Sequence, residues 1–207
     1  PNVMKKLFGK LLGETKPTLP RSEPIVIVSG LPRSGTSMMM KMLEAGGIPP
    51  LTDKLRTADD DNPKGYYEFE RVKQMDKGDT GWVPQAQGKV VKVISALLKY
   101  LPSSYHYQVI FLRRHMSEIL ASQRKMLINR GEDPDKMDDA QMTMLFENHV
   151  RQVESWLAQQ PNIEVLYVHE VPGQVRIPFR VSSAKRISAQ PVTFQPLVET
   201  GIGVIGL

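Results

Sequence analysis

Cysteine is absent from all 207 residues, which removes disulfides, thiolate-held zinc, iron–sulfur clusters and a cysteine nucleophile from consideration. Long apolar runs are missing too. No stretch approaches the roughly 18 residues a membrane span needs and nothing reads as a secretory signal, so a cytoplasmic protein without stable membrane insertion is expected. Charge of one sign does not dominate either: 27 Lys and Arg stand against 22 Asp and Glu, a net charge of +5. That excess favours anionic ligands, but it is too small and too scattered to make a nucleic-acid-binding stripe. The chain is long enough for one real core, and a single α/β domain with tails is the natural expectation.

The most informative segment runs from Ile25 to Met40, where the apolar stretch Ile25 to Ser29 leads into Gly30-Leu31-Pro32-Arg33-Ser34-Gly35-Thr36-Ser37 and then a helix. Backbone N–H groups of such a loop and of the helix start converge on one point, where the helix dipole also favours negative charge. Arg33 adds a forked cation, and Thr36 and Ser37 add hydroxyls. Gly30 and Gly35 keep the G-x-x-x-x-G spacing of nucleotide-binding loops, yet Thr36 stands where those loops require Lys.

A second segment has the same character. The apolar run Val109 to Leu112 ends in Arg113-Arg114, and a helix-like stretch then carries Ser122 about two turns along. At the carboxyl end of a parallel strand Arg114 would face the ligand crevice, within reach of that serine and a shared anion. Arg113 is the weaker candidate, because adjacent strand residues point to opposite faces. Neither this run nor Val90 to Ile94 ends in the aspartate that holds Mg²⁺ in P-loop kinases and GTPases.

The loop Pro32-Arg33-Ser34-Gly35-Thr36-Ser37 resembles the 5′-phosphosulfate loop of sulfotransferases, P-[KR]-[ST]-G-[ST]-[ST], and in its arginine it is closest to the tyrosylprotein enzymes. The pair Arg114 and Ser122 is similar to that family's grip on the 3′-phosphate of the donor nucleotide. The resemblance covers roughly Pro24 to Glu170. It implies a P-loop NTPase-like three-layer α/β domain with a central, mostly parallel sheet, with 3′-phosphoadenosine 5′-phosphosulfate (PAPS) as donor and the bisphosphate PAP as product. No metal is expected. Arg33, Ser34, Gly35, Thr36, Ser37, Arg114 and Ser122 would then bind the nucleotide, with an acceptor hydroxyl or amine that no motif identifies.

For chemistry, such a transfer needs charge neutralised on the leaving phosphate oxygen and a proton removed from the acceptor. Arg33 suits the first task. Lys92 is a second cation, since Val90-Val91-Lys92-Val93-Ile94 resembles the strand that carries Lys-Thr-His in cytosolic sulfotransferases. That motif's histidine falls at Ile94, which transfers no protons. The tyrosylprotein and heparan-type enzymes use glutamate as base, which directs attention to Glu68, set among Tyr66, Tyr67 and Phe69, with Asp53, Asp59 and Glu70 as rivals. Two other readings stay open: a kinase-like P-loop enzyme that uses Arg33 for the missing lysine, and a non-catalytic nucleotide-binding module.

Three regions are expected along the chain: a flexible basic arm and linker over 1–24, with the apolar-basic patch Met4 to Leu12; the sulfotransferase-like domain over 25–170; and an atypical tail over 171–207, where the resemblance stops. Within the domain, helices are predicted over Thr36 to Ala45, Ser117 to Asn129 and Asp138 to Gln159. The second should turn Ile119, Leu120 and Leu127 inward. The third should carry Met142, Leu145, Phe146, His149, Val153, Trp156 and Leu157 on one face, His149 as a satisfied core histidine. A fourth strand is predicted over Ile163 to Val168. The oligomeric state is left open.

Overall fold

The computed structural model describes residues 23–53, 67–135 and 138–169. Residues 1–22 of the arm, with its basic patch, Asp59 and the tail over 171–207 lie outside the described residues. Strand β1 (Ile25–Gly30) is buried at every position, as its apolar run Ile25 to Val28 requires of a central strand. It lies between β2 (Val90–Lys92) and β3 (Tyr107–Arg113), and β4 (Ile163–His169) extends the sheet beyond β3. The order is β2-β1-β3-β4, and each neighbouring pair is parallel.

Parallel neighbours need crossovers, so helices cover the sheet. Helix α1 (Thr36–Ala45) sets Met39, Met40 and Leu43 against Val26, Val28, Val90, Ile110 and Leu112. On the other face Ile25, Ile27, Val91, Val93, Val109 and Phe111 pack with Leu157 of helix α3 (Asp139–Leu157). The protein is therefore an α/β fold with an all-parallel sheet covered on both faces. Because β2 lies on one side of β1 while β3 and β4 lie on the other, the winding reverses at β1. Such a reversal opens a crevice beyond the carboxyl ends of the strands, here of β1 and β3.

Several elements differ from the sequence reading. Strand β2 stops at Lys92, not Ile94, because the Ser29 hydroxyl donates to the Val93 carbonyl at 2.8 Å and the chain turns at Ile94 into a 3₁₀ helix, Ser95–Tyr100. In helix α2 (Met116–Asn129) Ile119 is fully buried, whereas Leu120 and Leu127 are only half-buried. Asp138 caps α3, accepting from the Ala140 amide at 3.1 Å. Leu145 on the predicted inward stripe of α3 is 50 % exposed, for only the carboxyl-terminal part of that helix, through Val150, Val153, Trp156 and Leu157, packs on the core.

Two 3₁₀ helices, Glu70–Lys77 and Val83–Ala86, were not foreseen. The first buries Val72 and Met75, three residues apart, which is the 3₁₀ repeat and gives no α-helical or strand signal. Between them Trp82 is completely buried, set edge-on to Phe69 at 5.6 Å, its indole N–H donating to the Asp79 carbonyl at 3.1 Å. Trp82→Ala is expected to lower stability by about 3–5 kcal/mol, read from the denaturant midpoint at unchanged slope.

Candidate anion-binding site

The loop after β1 is tight for identifiable reasons. Gly30 sits in register with Leu112 of β3. A Cβ there would lie 2.6 Å from Ser34 Oγ and 2.8 Å from the Leu112 carbonyl oxygen, so no larger residue fits. The Ser34 amide and hydroxyl both donate to the Leu31 carbonyl, at 3.2 and 2.7 Å, which closes the turn. Arg33 (φ 67°) and Gly35 (φ 89°) adopt left-handed conformations. Gly35 then starts α1 with no side-chain hydrogen bond from the cap position. Ser34, which the resemblance assigns to the nucleotide, is 1 % exposed and its hydroxyl donates to the Leu31 carbonyl within the loop.

On the β3 side the two sequence segments meet. The Arg33 Nε donates to Ser122 Oγ at 2.8 Å, across 89 residues of chain. Arg114 Nη1 donates to the Arg33 carbonyl at 3.0 Å, so the guanidinium that follows β3 holds the strained residue of the loop that follows β1. Arg114 Nε donates to Glu118 Oε2 at 2.9 Å. That hydrogen bond is the main reason the Glu118 carboxyl is held below the usual carboxylate range. Glu118 escaped the sequence reading, although its place four residues after Arg114 was a signal. Arg113 turns to the opposite face, as strand alternation predicts: Nη2 lies 2.6 Å from Glu154 Oε1 and the guanidinium stacks 4.2 Å above the Tyr167 ring.

On the β2 side Lys92 alternates away from Val91 and Val93. Its Nζ donates to Ser37 Oγ at 3.2 Å and lies 3.9 Å from Glu68 Oε1. Glu68 Oε2 is in turn 3.1 Å from Lys73 Nζ, which also contacts Glu70 Oε1 at 2.8 Å. The backbone of Glu68 is anchored, because the Thr52 hydroxyl donates to its carbonyl at 2.7 Å and the Glu70 amide donates to Asp53 Oδ2 at 2.6 Å. Next to it Tyr67 (φ 48°) donates its hydroxyl to Glu44, and burial, with that carboxylate, pushes the phenol up to about 12. Of the rival acids, Asp53 caps a backbone amide, Glu70 pairs with Lys73, and Asp59 lies outside the described residues. Among the described acids of that set, Glu68 is the one that forms an ion pair with Lys92.

His149 is satisfied as expected, sharing a 2.8 Å hydrogen bond between Nε2 and the Ser95 hydroxyl. Burial, with Lys99 nearby, pushes its imidazole below the ordinary value.

Fold and site thus define an α/β protein whose cations and hydroxyls gather where the parallel strands β1, β2 and β3 end. No family model matches the chain, and no curated protein matches it. Among the described residues no helix is long and apolar enough to cross a membrane.

Proposed function

We propose that this chain is a sulfotransferase of P-loop NTPase-like fold, which moves a sulfuryl group from PAPS to an acceptor hydroxyl or amine. The observation that carries the reading is the Arg33–Ser122 hydrogen bond, reinforced by Arg114 on the Arg33 carbonyl. Two segments that resemble the two halves of one nucleotide site converge at the crevice where open parallel sheets bind ligands. A bisphosphate ligand suits this donor set. Guanidinium and hydroxyl groups stand on the β3 side, an ammonium and a hydroxyl on the β2 side, and a helix start without a side-chain cap lies between them.

PAPS, when bound, supplies an activated sulfuryl group on a phosphate leaving group. Arg114 and Ser122 bind the 3′-phosphate, the loop from Arg33 to Ser37 receives the 5′-phosphate, and Lys92 offsets negative charge at the reacting end. Glu68 takes the acceptor's proton. Its carboxylate, 3.9 Å from Lys92, puts base and cation within one reacting group's reach of each other.

Calorimetry tests the donor. PAP is expected to bind at least about tenfold more tightly than AMP, without added metal, because charge-assisted hydrogen bonds to the second phosphate are worth about 1.5–3 kcal/mol. Equal affinities would overturn the assignment. Turnover of Mg-ATP would favour the kinase-like reading, and tight PAP binding without transfer to any acceptor in a lysate, followed by mass spectrometry of products, would favour a binding module.

A further inference from the structure

Glu68 faces a difficulty that the donor reading creates. Its carboxylate is only 18 % exposed and sits beside Lys92, the cation expected to meet the anionic end of the donor. A second anion brought to Lys92 would meet the Glu68 charge at short range, and repulsion at such distances is strong where water is partly excluded. Lys73 lies against the other carboxylate oxygen, and nothing in the motifs pointed to it.

We propose that Lys73 is a positioning residue that neutralises Glu68 and holds its carboxylate beside Lys92, so that the base and an incoming sulfuryl group can share the site. The inference rests on the sulfotransferase reading. Its geometry is specific. Thr52 and Asp53 already fasten the backbone at the Glu68 carbonyl and the Glu70 amide, and Lys73 acts on the side chain. Lys73 reaches that side chain from the 3₁₀ helix Glu70–Lys77, whose backbone sets its direction, and bonds to Glu70 from below. Among the described residues the charged groups near Glu68 include Lys92 from β2, Lys73 and Glu70 from the 3₁₀ helix, and Asp53. Hydrogen bonding, first to Glu70 and then to Glu68, pushes the Lys73 ammonium above its ordinary value, so it stays charged throughout the neutral range.

The consequence separates this role from simple fold support. PAPS carries the sulfonate and PAP does not, so loss of Lys73 should weaken the first and spare the second. Lys73→Met is expected to lower PAPS affinity about fivefold, the scale of one partly exposed ion pair, with PAP affinity unchanged. The loss should shrink at high salt. Lys73→Arg keeps the charge and should bind both ligands normally. Adding Glu68→Gln to Lys73→Met removes the repelling carboxylate and should restore PAPS affinity, a coupling that a double-mutant cycle reads directly.

Calorimetry with PAPS and PAP, without acceptor, decides among the outcomes, with Lys73→Gln as a second neutral variant and thermal unfolding as the check on folding. Equal weakening of both ligands, or of neither, in two folded neutral variants overturns the role of Lys73 while leaving the donor reading intact. Failure of the unaltered protein to bind either ligand overturns both.

Discussion

Glu68→Gln is expected to reduce sulfuryl transfer by roughly 10² or more while nucleotide affinity changes little. Glutamine keeps the size and polarity of the side chain, so its amide can occupy the place beside Lys73 and Lys92 where the carboxylate now lies at 3.1 and 3.9 Å. What it loses is the capacity to accept a proton. A general base matters only as the acceptor is deprotonated, so the deficit should appear in kcat and kcat/KM together and not in donor binding. Steady-state kinetics with an identified acceptor measures this. Near-normal turnover in the variant would remove Glu68 from the mechanism, and Asp53, Asp59 and Glu70 would be tested next, although Asp53 and Glu70 are already committed to a backbone amide and to Lys73.

The second large effect is expected at Arg114. Its guanidinium meets the Arg33 carbonyl and Glu118, and both contacts bear on the outcome. Arg114→Ala removes a charged partner of the 3′-phosphate and lets go of the left-handed Arg33 in the loop. PAP affinity should fall by about 10- to 100-fold, the range of charge-assisted hydrogen bonds, while AMP, which lacks that phosphate, should lose far less. Glu118→Gln is the matching control: it removes a carboxylate that competes for Arg114, so PAP should bind at least as well as before. Calorimetric titration of both nucleotides against the three proteins gives the comparison. A uniform loss for PAP and AMP in Arg114→Ala would mean that Arg114 only supports the loop.

Much of the architecture was legible because the elements with long or uninterrupted apolar patterns announce themselves. Strand β1 opens with the apolar run Ile25 to Val28 and proved buried throughout, and the long helix α3 begins beside Asp138, where the sequence places its start. The Gly30 and Gly35 spacing marked the loop, and both positions do need glycine, one for close approach to β3 and one for its left-handed backbone. Less was readable where the repeat is short or the partner remote. The 3₁₀ helix Glu70–Lys77 is mostly polar, and its two buried residues follow a three-residue period over a single stretch. The outward turn of Leu145 depended on how far α3 overhangs the sheet, which no local pattern records.

By itself the sequence determined which chemistries were open: no thiol chemistry, a cationic loop after an apolar strand, and a second arginine–serine pair further along. Each is a property of composition or of neighbours along the chain, and such properties survive without a fold. Tertiary structure alone decided which groups meet. Parallel strands bring residues 89 positions apart into hydrogen-bond contact, so Arg33 reached Ser122 and left Lys92 to meet Ser37 and Glu68. Loop closure turned the Ser34 hydroxyl inward, where it joins the Ser34 amide on the Leu31 carbonyl. Lys73 and Glu118 meet Glu68 and Arg114 from five and four residues along the chain, so local turns bring those pairs together; the register and crossing of whole elements decided instead that Glu68 meets Lys92 and that Arg114 meets the Arg33 carbonyl.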